Sequence, residues 1–386
     1  FGVCRNKDNQ PPSHFVKIAF CTPFKPITHA SVSGDVTIAR DLVDTFRGFG
    51  HTVIPVEYFP ARGIATSPSR WPAAIRAMRR MTEQARQADC WLTYGSYYKV
   101  PDIFGPTVSA RLGIPYCLFQ ASYAKNRGKH LASWPGYALN KRAMLRADHI
   151  FCNRVNDLRG CAKLNLPDDR YTHIKPGLPD DLFRRDQTAR RQWRQQWHVD
   201  TTPVIMTAAM MRYGVKTEGL RWVIESCAEL MDAGLDLKLV IAGDGPRRNE
   251  IEPLALDRLG TNVTFLGMVD RADLPGVFSA GDIFAFPGLE ESVGMVYLEA
   301  QQCGLPAVAT DDEGAPNVIR HEYSGLITPV SRPAFTKALE RLVMDAPLRE
   351  QLGRQAMASV RKSHNAANNY KRMEQIMEDI ALREKI

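Results

Sequence analysis

Apolar residues along this chain gather in short runs, separated by longer stretches in which they recur every third or fourth position. Short runs bounded by polar turns read as buried strands, and the longer amphipathic stretches as helices that cross over between parallel strands. In the first half the strand pattern covers Val16–Cys21, Thr52–Tyr58, Cys90–Tyr94, Pro115–Gln120, His149–Cys152 and Tyr171–Ile174. Helices are predicted there over Asp35–Phe49, Trp71–Ala88 and Pro135–Arg146. The alternation stops at Pro176-Gly177-Leu178-Pro179, and a polar, arginine-rich stretch runs on to Asp200. A second series then predicts strands at Pro203–Met210, Leu237–Ala242, Asn262–Leu266, Ile283–Phe286, Ala307–Ala309 and Gly325–Thr328. Its helices fall at Thr217–Met231, Arg247–Leu259, Met295–Cys303 and Pro333–Met344, and a last helical stretch covers Asn365–Ile386.

This alternation specifies parallel sheets with helices on both faces. The expected fold is therefore α/β: two Rossmann-like doubly wound domains facing across a cleft, with the C-terminal helix crossing back to the first. Residues 1–14 read as a mobile tail, 15–180 as the first domain, 181–200 as a linker, 201–364 as the second domain and 365–386 as the crossover helix. In such sheets ligands bind beyond the carboxyl ends of the strands, which makes the cleft the expected site.

Composition narrows the setting. The 386 residues exceed one ordinary core and suit two domains. No run of eighteen uncharged apolar residues exists, so no membrane-spanning helix is expected, and the opening stretch lacks the apolar core of a signal peptide. Eight cysteines include no C-x-x-C pair, and Cys21, Cys117 and Cys152 lie in strand-like runs. Buried free thiols in a reducing compartment follow, with a cytoplasmic location as the expectation.

The net charge of +8 is uneven. Residues 1–186 hold 27 Lys+Arg against 15 Asp+Glu, an excess of +12, and the remainder carries −4. A basic half points to an anionic partner: nucleic acid, a lipid surface or a phosphorylated acceptor. No zinc finger, nucleic-acid strand motif or arginine-rich tail accompanies it, which argues against nucleic acid. Two segments combine cations with apolar or aromatic residues. Trp71–Arg86 sets Ile75 and Met78 among Arg76, Arg79 and Arg80, and Ser122–Arg142 sets Tyr123, Trp134 and Tyr137 among Lys125, Arg127 and Lys129. Both suit peripheral contact with an anionic inner membrane face or a glycolipid; packing on the sheet is the alternative for Ile75 and Met78.

The densest chemistry lies in Phe284–Thr310, read as strand, loop, helix, turn and strand. Gly294 falls where the loop becomes a helix, so the amides of Met295 and Val296 offer an anion site. Glu291 precedes that helix and Glu299 lies within it; carboxylates at such positions accept hydrogen bonds from vicinal hydroxyls. Position alone also allows a solvated loop residue and a helix-surface residue. Arg212 and Lys216, in the strand-to-helix stretch Ala208–Gly219, can neutralise a diphosphate. Gly243 and Gly245 in Ile241–Arg248 form a tight turn rather than a full dinucleotide fingerprint.

In this order the segments resemble glycosyltransferase family 4, a retaining family with the GT-B fold. Glu291 and Glu299 match its E-x7-E motif, and the family's run around it appears as Gly294-Met-Val-Tyr-Leu-Glu-Ala300 and Gly304-Leu-Pro-Ala-Val-Ala-Thr310. The G-D-G-P turn stands at Gly243–Pro246, the F-L-G strand at Phe265–Gly267 and the N-terminal glycine loop at Val32–His51. The resemblance implies transfer of a hexose-type sugar from a nucleoside-diphosphate sugar, as co-substrate, to a carbohydrate or glycolipid hydroxyl, with no cofactor and no metal. It implies that Glu291 binds sugar hydroxyls and Glu299 the ribose. Arg212, Lys216 and the Gly294–Val296 amides take the diphosphate, Met268 lies near the base, and Gly34 closes the phosphate site.

The chain departs from the pattern at Ser33, at Arg212–Gly219 and at Glu313-Gly-Ala-Pro-Asn317. No histidine follows the fourth N-terminal strand, where Phe119-Gln120-Ala121-Ser122 stands. Gln120, Ser122, Lys125 and Arg127 are the acceptor-side candidates. A nucleotide-sugar epimerase or a phosphorylase on the same fold is the alternative enzyme reading.

Overall fold

The computed structural model describes residues 15–29, 34–179 and 181–383. The expected tail, Cys4 and the loop residues Ser31–Ser33 lie outside them. The chain divides into two compact units, one ending at Ile174 and completed by Tyr370 onward, the other Lys175–Asn369.

The first unit runs β1 (Lys17–Cys21), α1 (Gly34–Gly48), β2 (Thr52–Pro55), α2 (Trp71–Gln84), β3 (Cys90–Ser96), α3 (Gly105–Leu112), β4 (Tyr116–Ala121), α4 (Trp134–Arg146), β5 (His149–Cys152), α5 (Val155–Lys163) and β6 (Tyr171–His173). All pairings are parallel, in the order β2-β1-β3-β4-β5-β6. Strands β4 and β5 are buried at every position, as their unbroken apolar runs require of strands covered on both faces. Buried Asp102 orders the connection after β3. It accepts hydrogen bonds from the Tyr116 and Thr93 hydroxyls at 2.7 and 2.6 Å, and from the N–H groups of Phe104 and Gly105 at the start of α3. On α2 the expected pair separates: Met78 is buried, whereas Ile75 is exposed beside Arg76 and Arg79.

The second unit opens with α6 (Gln187–Gln196), then β7 (Val204–Ala208), α7 (Val215–Asp232), β8 (Lys238–Ala242), α8 (Arg248–Leu259), β9 (Val263–Gly267), α9 (Leu274–Ala280), β10 (Ile283–Ala285), α10 (Met295–Gln302), β11 (Ala307–Thr310), α11 (Ala315–Val318), β12 (Gly325–Thr328), α12 (Arg332–Met344) and α13 (Ala346–Ser363). Its parallel sheet has the order β12-β11-β10-β7-β8-β9, reversing direction between β7 and β10.

The stretch 181–200 is no linker. Asp186 caps α6 by accepting from the N–H groups of Thr188 and Ala189, and two arginines fasten the helix to the sheet. Arg190 and the buried Arg194 grip Asp282 just before β10, at 2.6 and 2.9 Å. Arg194 also donates to the carbonyls of Asp200, Thr202 and Ala280. Burial raises the Asp282 carboxyl, but the Arg190 charge, the Val204 N–H and Arg194 together hold it below the usual range.

The final helix, α14 (Ala366–Arg383), starts in the second unit and belongs to the first from Tyr370 onward. There the Tyr370 ring packs edge-on to Phe119 at 6.2 Å. His51 Nδ1 accepts the Val16 N–H, which leaves the proton on Nε2 for buried Glu374 at 2.7 Å. Among the described residues no helix is long and apolar enough to cross a membrane. The described cysteines are buried free thiols.

Candidate active site

The strand order of the second sheet reverses between β7 and β10. Loops leaving the carboxyl ends of β7 and β10 diverge at such a reversal and open a crevice. The β7 loop carries Arg212 and enters α7 at Val215, which puts Lys216 in the first helical turn rather than in the loop. Two glycines shape it from beside: a Cβ at Gly243 would overlap the Ala209 carbonyl, and one at Gly245 would press on that of Met211. The expected tight turn thus braces the Arg212 loop, and Met211 N–H completes the contact by donating to the Asp244 carbonyl at 3.0 Å. Arg212 itself is exposed.

The β10 loop carries Glu291 and is clamped from two sides. Buried Tyr297 donates to the Phe286 carbonyl at 3.0 Å, and its hydroxyl fills the space that a Cβ at Gly288 would need. Gly314 N–H donates to the Glu291 carbonyl at 2.6 Å, an approach that a Cβ on Gly314 would block. Thus held, the Glu291 carboxylate pairs with the Lys216 ammonium, which also lies 5.2 Å from the centre of the Phe286 ring. Burial pushes the Tyr297 hydroxyl well up, and the charges of Glu291 and Asp312 add to this. Gly294 takes φ 82° as the cap of α10. The first helical bonds are those of Tyr297 and Leu298 to the Gly294 carbonyl, so the Met295 and Val296 amides precede the helix's own ladder.

The structure therefore brings Glu291, Lys216, Gly294, Met295 and Val296 to two neighbouring loop-to-helix junctions, at the starts of α7 and α10. Glu299 is further along α10, half-buried and 3.9 Å from Arg271. Met268 is exposed just after the edge strand β9, and Gly34 opens α1 in the first unit.

In that first unit Gln120 and Ser122 lie at the carboxyl end of β4. Gln120 adopts φ 59°, a left-handed conformation rare for a residue with a side chain, and is buried with its Oε1 unpartnered among the described residues. Strain of this kind gathers at functional positions. Ser122 bonds Asp157, whose carboxyl burial raises against the pull of Arg154. Lys125 and Arg127 are exposed in the following turn, with Arg127 4.9 Å over the Tyr98 ring.

Residues 202–345 match the family model described as glycosyl transferases group 1. That segment is similar to group 1 glycosyltransferases. The chain is 33% identical over 197 residues to the alpha-D-kanosaminyltransferase of Streptomyces kanamyceticus, covering 50% of each. It is 30% identical over 188 residues to a GDP-mannose-dependent alpha-(1-6)-phosphatidylinositol monomannoside mannosyltransferase of Mycolicibacterium smegmatis, covering 46% of this chain and 48% of that one. The chain spans about half the length of these curated relatives. The solved structure of Anabaena HepE in complex with UDP superposes with a TM-score of 0.73 at 18% identity, over 94% of this chain and all of that one. That likeness carries the fold, and it bears out two doubly wound α/β domains of the GT-B type.

Sequence reasoning missed several groups around the candidate site. Tyr297 and Gly314 position Glu291, Asp312 accepts the Glu290 N–H at 3.0 Å, and Arg271 faces Glu299. The run Glu313–Asn317 is informative in hindsight. Its single glycine stands where the backbone must pass Glu291, while Glu313 takes φ 41°.

Proposed function

We propose that the chain is a retaining, nucleotide-sugar-dependent glycosyltransferase that moves a hexose-type sugar to a hydroxyl acceptor. The observation that carries this reading is the Glu291–Lys216 contact at the β7/β10 switch point, inside the segment that matches the group 1 family.

In this reading Glu291 orients sugar hydroxyls, while Lys216, Arg212 and the Met295 and Val296 amides receive the diphosphate. Charge that develops on the leaving phosphate meets donors already in place, the electrostatic preorganisation on which such transfers depend. The anomeric carbon–oxygen bond to the diphosphate breaks and the acceptor oxygen bonds the same face. The acceptor's proton passes to the departing phosphate. Glu299 takes the ribose, and the base rests near Met268. No metal is assigned a part, because Lys216, Arg212 and the helix amides supply the positive potential.

Gln120, Ser122, Lys125 and Arg127 form the acceptor side, within the first unit. A lipid-borne acceptor at an anionic membrane face fits the basic first unit, and the mycolicibacterial relative's name specifies a phosphatidylinositol-derived acceptor. A thermal-shift panel of nucleoside diphosphates and nucleotide sugars tests the donor, since a ligand that binds only the folded state raises its stability. NMR of the product then reads the anomeric configuration. Stabilisation by no nucleotide sugar, or an inverted product, refutes the proposal, and interconversion of the donor sugar alone indicates an epimerase.

A further inference from the structure

Three segments of the first unit enclose a pocket of about 460 Å³ whose described lining includes Arg62, Lys99, Arg127 and His130 and no acidic residue. Two glycines build it. A Cβ at Gly136 would overlap the Tyr98 carbonyl, so glycine alone lets the start of α4 close on the loop after β3. Gly63, at φ 75°, donates its N–H to the Lys99 carbonyl at 3.3 Å and ties the segment bearing Arg62 to the same loop. Ser133 fixes the third segment by donating to the Arg127 carbonyl at 2.6 Å.

Among the described residues the cations are held by aromatic groups. Arg127 lies 4.9 Å and Lys99 5.7 Å from the centre of the Tyr98 ring. Arg62 rests over Phe24 at 5.2 Å and donates to the Tyr97 hydroxyl at 3.1 Å. Stacking on a ring face orients a guanidinium and leaves most of its N–H groups free for an anion. The first turn of α4 adds the positive end of a helix, with Pro135 contributing no N–H.

We propose that this pocket binds a phosphate ester, the anionic end of the acceptor. The inference deepens the reading of the first unit as the acceptor side and rests on it. Bidentate arginine contacts suit phosphate oxygens, and the volume admits a phosphate with a polyol or sugar attached. Leu131 and Trp134 flank the lining residues and stay 94% and 55% exposed, which favours an ester carried on a lipid.

The test uses the full chain. Glycerol 3-phosphate is titrated calorimetrically, and vesicles of phosphatidylcholine, with and without phosphatidic acid, are co-sedimented. Arg62→Gln/Arg127→Gln should weaken whichever interaction occurs by about tenfold or more. Arg111→Gln/Lys163→Gln removes the same charge from exposed last turns of α3 and α5, outside the lining, and should leave it within about twofold. Lys99→Gln, at an exposed position, provides a second pocket variant, and near-UV circular dichroism checks folding. Binding of glycerol 3-phosphate assigns a soluble ester, and binding of phosphatidic acid vesicles alone assigns a lipid. Equal loss in both double variants, or no binding in either arm by the unaltered chain, overturns the pocket. Titration with nucleoside diphosphate reads the second unit separately, so failure of the glycosyltransferase reading and failure of the pocket are distinguishable.

Discussion

Replacing Glu291 with glutamine should separate two quantities that most active-site substitutions lower together. The carboxylate holds the Lys216 ammonium, with the two side chains 18% and 34% exposed. Exposed ion pairs contribute about 0.2–1 kcal/mol, and breaking fully buried ones costs about 3–5 kcal/mol. A coupling of about 1–2 kcal/mol is expected in between. On the proposed reading Lys216 must loosen that contact to meet a diphosphate, so the coupling opposes nucleotide binding. Glutamine keeps the shape and removes the opposition, so affinity for the free diphosphate should rise about five- to thirtyfold. Transfer should fall about ten- to a hundredfold, because a charge-assisted bond to a sugar hydroxyl is lost. Calorimetric titration with uridine and guanosine diphosphates measures the first quantity, and turnover with the donor that the unaltered chain uses measures the second. Lys216→Met should cost about 1–2 kcal/mol in urea unfolding, and the double variant should cost less than the sum of the two. Weaker diphosphate binding in Glu291→Gln, or near-normal turnover, would refute the reasoning.

Gly294→Ala should cost about 1–2 kcal/mol for its left-handed conformation, plus a contact with the Val318 side chain 2.9 Å from the new Cβ. Its turnover should fall further than its urea midpoint suggests; equal losses would mean that the start of α10 meets no ligand. Arg194→Met should destabilise by about 3 kcal/mol or more, since buried Arg194 is lost as a donor to part-buried Asp282 and to three carbonyls; an unchanged midpoint would return 181–200 to the status of a linker. Burial lowers the His149 imidazole to about 4, so between its ordinary value and that point the unfolded chain binds the extra proton. Stability should therefore fall as pH drops from about 6.5 to 4. The loss should be smaller in His149→Gln, and matching pH profiles of melting temperature would contradict the assignment.

Strands and long amphipathic helices were legible because their periods are clean and their runs fully buried, as in β5 and α12. The missed elements lack that signal. Helix α9 is seven residues long and buried almost throughout, so no polar face marks its period. Helix α6 is so rich in Arg and Gln that it passes for a linker, because Arg190 and Arg194 bind through Asp282 rather than through an apolar stripe. For the candidate site, motif spacing singled out Glu291, Glu299 and Gly294. It could not reveal that Lys216 rests on Glu291, a contact between residues 75 positions apart. Nor could it join Arg62, Tyr98 and Arg127, which line one pocket where Gly136 admits α4 to the Tyr98 carbonyl.

The closing helix sets a timetable for synthesis. Chains ordinarily fold their amino-terminal domain first as they emerge from the ribosome. Here the surface around His51 and Phe119 waits for Tyr370 and Glu374, which are translated only after the whole second unit. With about 200 residues intervening, at roughly 5–20 residues per second, the delay is about 10–40 s. During that interval the first sheet carries an uncovered apolar ring and an unanswered imidazole, while the later-made unit already has its own strands in hand. A nascent chain stalled before Tyr370 should therefore present its amino-terminal half to chaperones, although that half is the older one.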